Sequence, residues 1–292
     1  MLKAKLKAKR PVKPKPKFNL LIFMLNNLEL VKTLRQKTGA GMADCQQALA
    51  EAVGDLDKAI IILRKKGLAR AAKRSQRETT QGQIKVAVDS QARQGYIFEL
   101  NAETDFVVRN QKFQSLADQI LELVKTQQPK NLNQLLTLPL AGATVKQNLE
   151  ELSGVLGEKL EILKYNILSS SGTIAAYLHA GGKIGVLVAL DQSGKNDLAY
   201  EMAMQIAAAN PKYISPEEAS SDEMEKEQKI YREELKNQGK KAELIEKIIP
   251  AKLAKYLAEI CLTKQEYIRD EKKRVEEILG PVKVEKFIRF SL

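Results

Sequence analysis

Few side chains in this sequence are of the types that carry out covalent chemistry. The chain has one histidine, His179, and two cysteines, Cys45 and Cys261, which lie far apart and form no CxxC pair. Metal centres and catalytic triads need histidine or cysteine close to further ligands or to a positioned nucleophile. The sequence therefore predicts no enzyme active site, no metal site and no cofactor, and it predicts reduced thiols.

The glycine-rich segments lack the spacing of a phosphate-binding loop. Gly39-Ala40-Gly41 has no third glycine at the dinucleotide-binding spacing, and Gly181-Gly182-Lys183 is followed by Ile184 instead of Ser or Thr. We therefore expect no direct nucleotide binding.

The strongest candidate for a binding site is the tetrapeptide Thr104-Asp105-Phe106-Val107. It lies on the loop that leaves a predicted strand, just before a predicted helix. The residue types alone favour a structural role, with Asp105 as the anion at a helix N-terminus and Phe106 as a core residue.

Three short amphipathic helices are predicted between residues 28 and 67. Each has apolar residues at a spacing of three or four, as in Cys45, Ala48 and Ala52. Gly39-Ala40-Gly41 turns the chain between the first two helices, and Asp55 is placed to cap the third. The pattern predicts a compact three-helix module in which Cys45 is a small buried hydrophobe.

Two similar units follow, each with the order strand, turn, strand, helix. Gly82-Gln83-Ile84 opens the first unit, and Gly172-Thr173-Ile174 opens the second. This repetition predicts the fold class α+β, with a duplicated core of antiparallel sheets. We assign residues 82–160 and 161–292 to its two subdomains, and the duplication places His179 where Asp89 sits in the first half.

A helical hairpin is predicted at about residues 221–260, within the second subdomain. Two stretches with apolar residues at helical spacing flank the turn Asn237-Gln238-Gly239, and Pro250 is expected to kink the returning helix. The apolar stripe packs either on the hairpin itself or on another chain. The second case would make the hairpin a surface for self-association.

The net charge of +12 is concentrated in a basic tail, residues 1–27, which the prolines predict to be disordered. We interpret residues 1–23 as an extension upstream of Met24, with an organelle-targeting segment as the alternative. The longest apolar run, residues 20–25, is too short to cross a membrane. We therefore expect a cytoplasmic protein without membrane contact, with an organelle matrix left open.

A second basic stretch, residues 64–77, continues the third helix, and we predict a basic linker helix at residues 68–81. Lysines and arginines at this density can bind phosphates, so a ribosome- or RNA-binding module is the alternative function. No aromatic residue is interleaved to stack on bases, which favours a solvated linker without nucleic acid.

Several motifs, in order along the chain, resemble the elongation factor Ts family of translation factors. They include LVKTLRQKTGAGMADC at residues 30–45, Gly54-Asp55, the tetrapeptide 104–107, and His179 with Gly185-Val186-Leu187-Val188. The resemblance covers nearly everything from residue 28 onward. It implies a UBA-like fold for the three-helix module and the activity of a guanine nucleotide exchange factor for elongation factor Tu.

The resemblance also implies which residues contact elongation factor Tu. Asp105 and Phe106, flanked by Thr104 and Val107, would enter the GTPase as a wedge that disturbs the groups around its Mg²⁺ and promotes GDP release. Further implied contacts are Met42, Ala43, Leu156, Gly157, His179 and Ile268. For His179, a hydrogen-bonded residue at a strand end is the alternative. The chain departs from the family pattern at Gln46, at Pro250 and at Glu266-Tyr267, so its peripheral contacts are expected to differ.

Overall fold

The computed structural model describes the backbone of residues 17–292 and the side chains of residues 28–67, 69, 71 and 74–292. The predicted tail therefore lies outside the described residues as far as residue 16. The chain divides into two compact units. The first comprises the described residues up to Ser75 together with Ser153–Gly157, and the second comprises Gln76–Leu152 together with Glu158–Leu292.

The first unit contains the three predicted helices, α1 (Lys17–Thr38), α2 (Met42–Glu51) and α3 (Leu56–Lys73). Their shared core is formed by the buried residues Val31, Leu34, Cys45, Ala48, Leu49, Ala52 and Ala59. Asp55 Oδ1 accepts a hydrogen bond from the N–H of Lys58 at 3.0 Å. The buried position of Cys45 and the cap at Asp55 are both confirmed.

Two helix boundaries differ from the expected ones. α1 begins at Lys17 because the last proline of the tail is Pro16 and the apolar residues that follow include no helix breaker. α3 continues past Gly67 to Lys73, and the next strand starts at Gln81, so only the first part of the predicted linker is helical. The close packing here requires the glycine at Gly154, since a Cβ there would come 2.7 Å from the Cα of Gly67, whereas a Cβ on Gly67 would lie an ordinary 3.6 Å from the Cα of Gly154.

The second unit begins with a three-stranded antiparallel sheet in the order β1-β2-β5, formed by β1 (Gln81–Val88), β2 (Gln94–Ala102) and β5 (Leu160–Ser169). The elements between β2 and β5 are α4 (Asp105–Val108), α5 (Gln111–Gln127), α6 (Leu132–Thr137), β3 (Pro139–Leu140), β4 (Ala143–Thr144) and α7 (Val145–Leu156). Because β5 pairs with β2 along its length, the predicted subdomain boundary at residue 160 falls at the start of a strand of the first sheet.

A second antiparallel sheet has the order β10-β7-β6, formed by β6 (Thr173–His179), β7 (Ile184–Leu190) and β10 (Val284–Ser291). α8 (Asn196–Ala209) packs on β6 and β7. The chain then forms α9 (Ser221–Asn237), α10 (Ala242–Ile260), β8 (Glu266–Tyr267), β9 (Asp270–Arg274) and α11 (Val275–Leu279). The mixture of helices and antiparallel sheets confirms the α+β class.

The two sheets contact each other through equivalent positions. The N–H of Ile84 donates to the turn between β6 and β7, and the N–H of Ile174 donates to the turn between β1 and β2, both at 2.8 Å. A Cβ on Gly95 would come 2.9 Å from the side chain of Ile174, and one on Gly185 would come 2.4 Å from that of Ile84. This reciprocity is what a duplicated core produces, because each half offers the same glycine and the same isoleucine to the other.

The predicted hairpin is formed by α9 and α10. The side chains buried between its two helices are Leu235, Ile245 and Ile249. On α10 this face is one position further along than the expected stripe through Leu244 and Ile248, and Leu244 is 45% exposed. α10 continues through Pro250. At the base of the hairpin, the carboxylate of Glu223 accepts hydrogen bonds from Lys212 Nζ at 2.7 Å, Tyr213 OH at 2.5 Å and Tyr256 OH at 2.8 Å. These three donors lower the pKa of Glu223 to about 2.

Candidate functional site

Phe106 is the aromatic residue of the candidate tetrapeptide, and 81% of its surface is accessible. The expectation from residue type, that Phe106 belongs to the core, is therefore wrong. α4 is only one turn long, and Val107 and Val108, at 8% and 9% exposure, take its inward side. The phenyl ring is left on the outward side of the turn.

Asp105 is the first residue of α4 and lies next to the exposed ring. Its Oδ2 accepts a hydrogen bond from Arg109 Nη2 at 2.8 Å, one turn further along the chain. Arg109 is largely in contact with solvent and Asp105 is half-buried, so this surface ion pair contributes little to stability. The tetrapeptide thus presents a carboxylate and a ring side by side on the surface.

The loop that carries these two side chains is fixed at both ends. Thr104 donates two hydrogen bonds to the carboxylate of Glu158, from its N–H at 2.9 Å and from its hydroxyl at 2.6 Å. At the other end, Gln114 Nε2 donates to the carbonyl of Val108 at 2.6 Å. Asn110 caps α5 by accepting from the N–H of Lys112.

His179 lies at the end of β6, where it is exposed. Its Nδ1 is 3.0 Å from the hydroxyl of Tyr177, and the two rings are stacked with centroids 5.9 Å apart. The following residues, Ala180, Gly181 and Gly182, all have positive φ angles and turn the chain sharply into β7. The hydrogen bond orients the imidazole while leaving it accessible.

Ile268 is an apolar residue on the surface of the second unit, with 42% exposure. Its N–H donates to Gln205 Oε1 at 2.9 Å. Gln205 is completely buried, and its Nε2 donates to the carbonyl of Glu266 at 3.1 Å. A buried amide on α8 thereby holds the segment that presents Ile268.

The remaining predicted contact residues are assigned to the first unit. Met42 and Ala43 open α2, and both are exposed, Met42 at 44%. Leu156 ends α7 and is half-buried, while Gly157 follows with a φ of 83°, a conformation that glycine adopts readily.

Three supporting residues were not found by sequence reasoning: Glu158, Gln205 and Tyr177. Glu158 and Gln205 lie 54 and 63 residues from the groups that they hold. No periodic pattern joins residues at such separations. Tyr177 has a weak local signal, because it lies two positions before His179 and so on the same face of a strand.

No group of three His, Cys, Asp or Glu side chains among the described residues is arranged to hold a metal ion. Among the same residues, no helix combines the length and hydropathy that a membrane crossing requires.

An exposed phenyl ring on an anchored loop is the kind of side chain that anchors interfaces between proteins. A family model described as elongation factor TS matches residues 103–292. Curated proteins named elongation factor Ts from Clostridium botulinum and Clostridium perfringens are 38% and 37% identical over 275 residues, which cover 89% of this chain and 91% of each relative.

The chain therefore belongs to the elongation factor Ts family, and the resemblance noted in the sequence is confirmed. Members of this family are nucleotide exchange factors for elongation factor Tu and are not enzymes in the usual sense. Their role is in the elongation stage of protein biosynthesis.

Proposed function

We propose that this chain releases GDP from elongation factor Tu by inserting Asp105 and Phe106 as a wedge near the Mg²⁺ site. The observation that carries the proposal is the 81% exposure of Phe106 beside the buried Val107. A large apolar side chain held in water by a short, anchored turn gains free energy when a partner covers it. Within the tetrapeptide, Asp105 and Phe106 make the contact, and Thr104 and Val107 hold them in place.

The proposed wedge acts through the metal because Mg²⁺ tolerates little departure from octahedral geometry. A small displacement of the groups around the ion weakens its hold on the phosphates of GDP. Coupling between two ligands is reciprocal, so GDP must weaken the binding of this chain as much as this chain weakens the binding of GDP. Binding of GTP then completes the exchange.

We assign the peripheral contacts to Met42, Ala43, Leu156, Gly157, His179 and Ile268. The exposure of Met42, His179 and Ile268 supports this assignment. The internal packing of Leu235, Ile245 and Ile249 favours a hairpin that is complete by itself over self-association through it. We propose the GDP form of elongation factor Tu as the partner and the cytoplasm as the compartment.

The RNA-binding alternative has less support. In the basic stretch at the end of the first unit, Lys66 pairs with Glu51 at 2.7 Å, and Arg74 Nη1 donates to the carbonyl of Ser153 at 3.0 Å. These two basic side chains therefore bind partners within the first unit.

The test is the release of fluorescent GDP from elongation factor Tu, with saturating Mg²⁺, after addition of an excess of unlabelled nucleotide. We expect the chain to accelerate release by orders of magnitude and Phe106→Ala to lose most of this effect. Leu163→Ala is a matched control, since Leu163 is another exposed apolar residue, at 46%. A folded Phe106→Ala variant as active as the unchanged chain would contradict the wedge.

A second arm tests the role of the metal. When Mg²⁺ is removed with EDTA, GDP release from elongation factor Tu alone becomes faster, and the difference between the unchanged chain and Phe106→Ala should shrink. A difference that persists at full size without Mg²⁺ would contradict a mechanism through the metal site.

A further inference from the structure

The carboxylate of Glu158, from a distant part of the chain, holds Thr104. We propose that Glu158 is a positioning residue for the wedge. The inference rests on the proposed function and adds to it the group that fixes the direction of Asp105 and Phe106. Both oxygens of Glu158 accept from Thr104, Oε2 from the N–H and Oε1 from the hydroxyl.

These bonds occur where β2 and β5 separate. The last backbone pair of the two strands joins Ala102 to Leu160. Beyond it, the N–H of Thr104 donates to Glu158, and on the other strand the N–H of Lys159 donates to Glu103 Oε1 at 2.7 Å. Two acidic side chains thus accept the hydrogen bonds that strand carbonyls accept elsewhere in the sheet, because a partly buried N–H without an acceptor is costly.

Thr104 does not cap α4 with its hydroxyl, because that hydroxyl bonds to Glu158. Thr104 is the N-cap residue of α4, with an extended backbone at φ −128° and ψ 158°. A threonine in that position commonly accepts a hydrogen bond from the start of its own helix. Here α4 has no side-chain cap, and the hydroxyl donates to Glu158 instead.

The direction of a one-turn helix depends on what holds its ends, since one turn is too short to be stable by itself. Burial of Val107 fixes the inner side of α4, and Glu158 fixes the residue that leads into it. Hydrogen bonds to a charged acceptor are the stronger kind. The Glu158 contact therefore limits the poses in which Phe106 meets a partner.

Loss of this contact should slow the insertion of the wedge more than the assembly of the complex. Met42 opens α2 and Ile268 is held by Gln205, so these peripheral surfaces keep their own supports and the two proteins should still associate. A misdirected ring then reaches its site less often within the complex, and small errors in placement can cost up to about 100-fold in rate.

The experiment measures GDP release from elongation factor Tu over a range of concentrations of the full chain carrying Glu158→Ala. We expect the maximal release rate to fall about tenfold, with a change of less than about twofold in the half-saturating concentration. A variant that was merely partly unfolded would do the opposite, since fewer active molecules raise the half-saturating concentration and leave the maximal rate unchanged.

Variants at Thr104 test whether the effect passes through this contact. Thr104→Ser keeps both donors and should behave as the unchanged chain, while Thr104→Val loses the hydroxyl and should be impaired. The double variant Thr104→Val/Glu158→Ala should be no slower than Glu158→Ala, because coupled residues are not additive. Glu218→Ala is the matched control, as Glu218 accepts from the N–H of Ile214 at 2.9 Å in a different loop.

A spectroscopic measurement in the absence of the partner completes the test. With 4-fluorophenylalanine at position 106, the ¹⁹F signal of the free chain should change in position or width on Glu158→Ala and stay the same on Glu218→Ala. Full maximal release by Glu158→Ala, with Phe106→Ala impaired, would overturn the positioning role alone. Full release by both variants would overturn the proposed wedge as well.

Discussion

The two halves of the core share a scaffold but differ in the loop that follows their second strand. In the first half, β2 leads into α4, which presents Phe106 to solvent. In the second half, β7 leads to α8 through a short loop that is tied to its own sheet: the Thr173 hydroxyl donates to the carbonyl of Gln192 at 2.7 Å and accepts from the N–H of Lys195 at 3.1 Å. The two halves thus share a scaffold and differ in the loop after the second strand, which carries the exposed Phe106 in the first half only.

In the second half, the candidate contact residue lies at the opposite end of the antiparallel pair β6 and β7. His179 lies at the turn between β6 and β7, whereas the equivalent turn of the first half contains Asp89. The Asp89 carboxylate accepts from the N–H groups of Arg93 and Gln94 at 2.7 and 3.0 Å and so serves the turn itself. Equivalent positions thus have a structural role in one copy and an accessible side chain in the other.

The largest effect is expected from a comparison of the loops that follow β2 and β7. Phe106→Ala should lower the maximal stimulation of GDP release about 100-fold, close to 2.7 kcal/mol, because truncated aromatic anchors commonly cost 2 kcal/mol or more. Gln192→Ala, in the corresponding loop of the second half, should stay within about twofold. Comparable losses from the two variants would show that both loops bind the partner.

A smaller effect is expected on stability, from the glycines that bring the two sheets together. Gly185→Ala places a Cβ 2.4 Å from Ile84 and should lower the free energy of unfolding by about 2 kcal/mol. Gly95→Ala meets Ile174 at 2.9 Å and should cost less. Urea unfolding followed by circular dichroism gives both values, and a larger cost for Gly95→Ala than for Gly185→Ala would contradict the tighter packing at Gly185.

His179→Ala should have a moderate effect on affinity. Loss of the imidazole is expected to raise the half-saturating concentration about fivefold, and Tyr177→Phe, which removes only the hydrogen bond to Nδ1, should raise it less. Asp89→Asn, at the equivalent turn of the first half, is the control and should leave the value unchanged. An unaltered affinity in His179→Ala would support a purely structural histidine.

The smallest effect at neutral pH is expected for the hairpin, which only the second half contains. Three donors lower the pKa of Glu223 from its ordinary 4.5 to about 2, so the ionised carboxylate stabilises the base of the hairpin above about pH 4.5. This contribution is lost as the pH falls from 4.5 towards 2, where the folded form takes up the proton.

Hydrogen exchange of the α9 and α10 amides measures this loss. Protection in the unchanged chain should decrease through that pH range relative to the core, and Glu223→Gln should lack the pH-dependent part. Glu225→Gln, on the same helix, serves as control. A decrease of equal size in Glu223→Gln would contradict a role for this carboxylate.

Local pattern was enough to predict much of the fold. The spacing of Cys45, Ala48 and Ala52 indicates a buried helical face, and the repeated order of strands and helix indicates the duplicated core. Both depend on interactions between near neighbours in sequence, which residue type and period describe directly. The motifs that resemble the elongation factor Ts family are likewise read from the sequence without the structure.

Tertiary structure alone decided how the candidate site is built. Residue type placed Phe106 in the core, and only the packing of Val107 and Val108 against the sheet turns the ring outward. The strand partner of β5 and the contact of Glu158 with Thr104 join residues that are far apart along the chain. The sequence by itself determined most of the helices and strands and the family to which the chain belongs, because those depend on local order. The direction in which a side chain points depends on distant segments that meet only when the chain has folded.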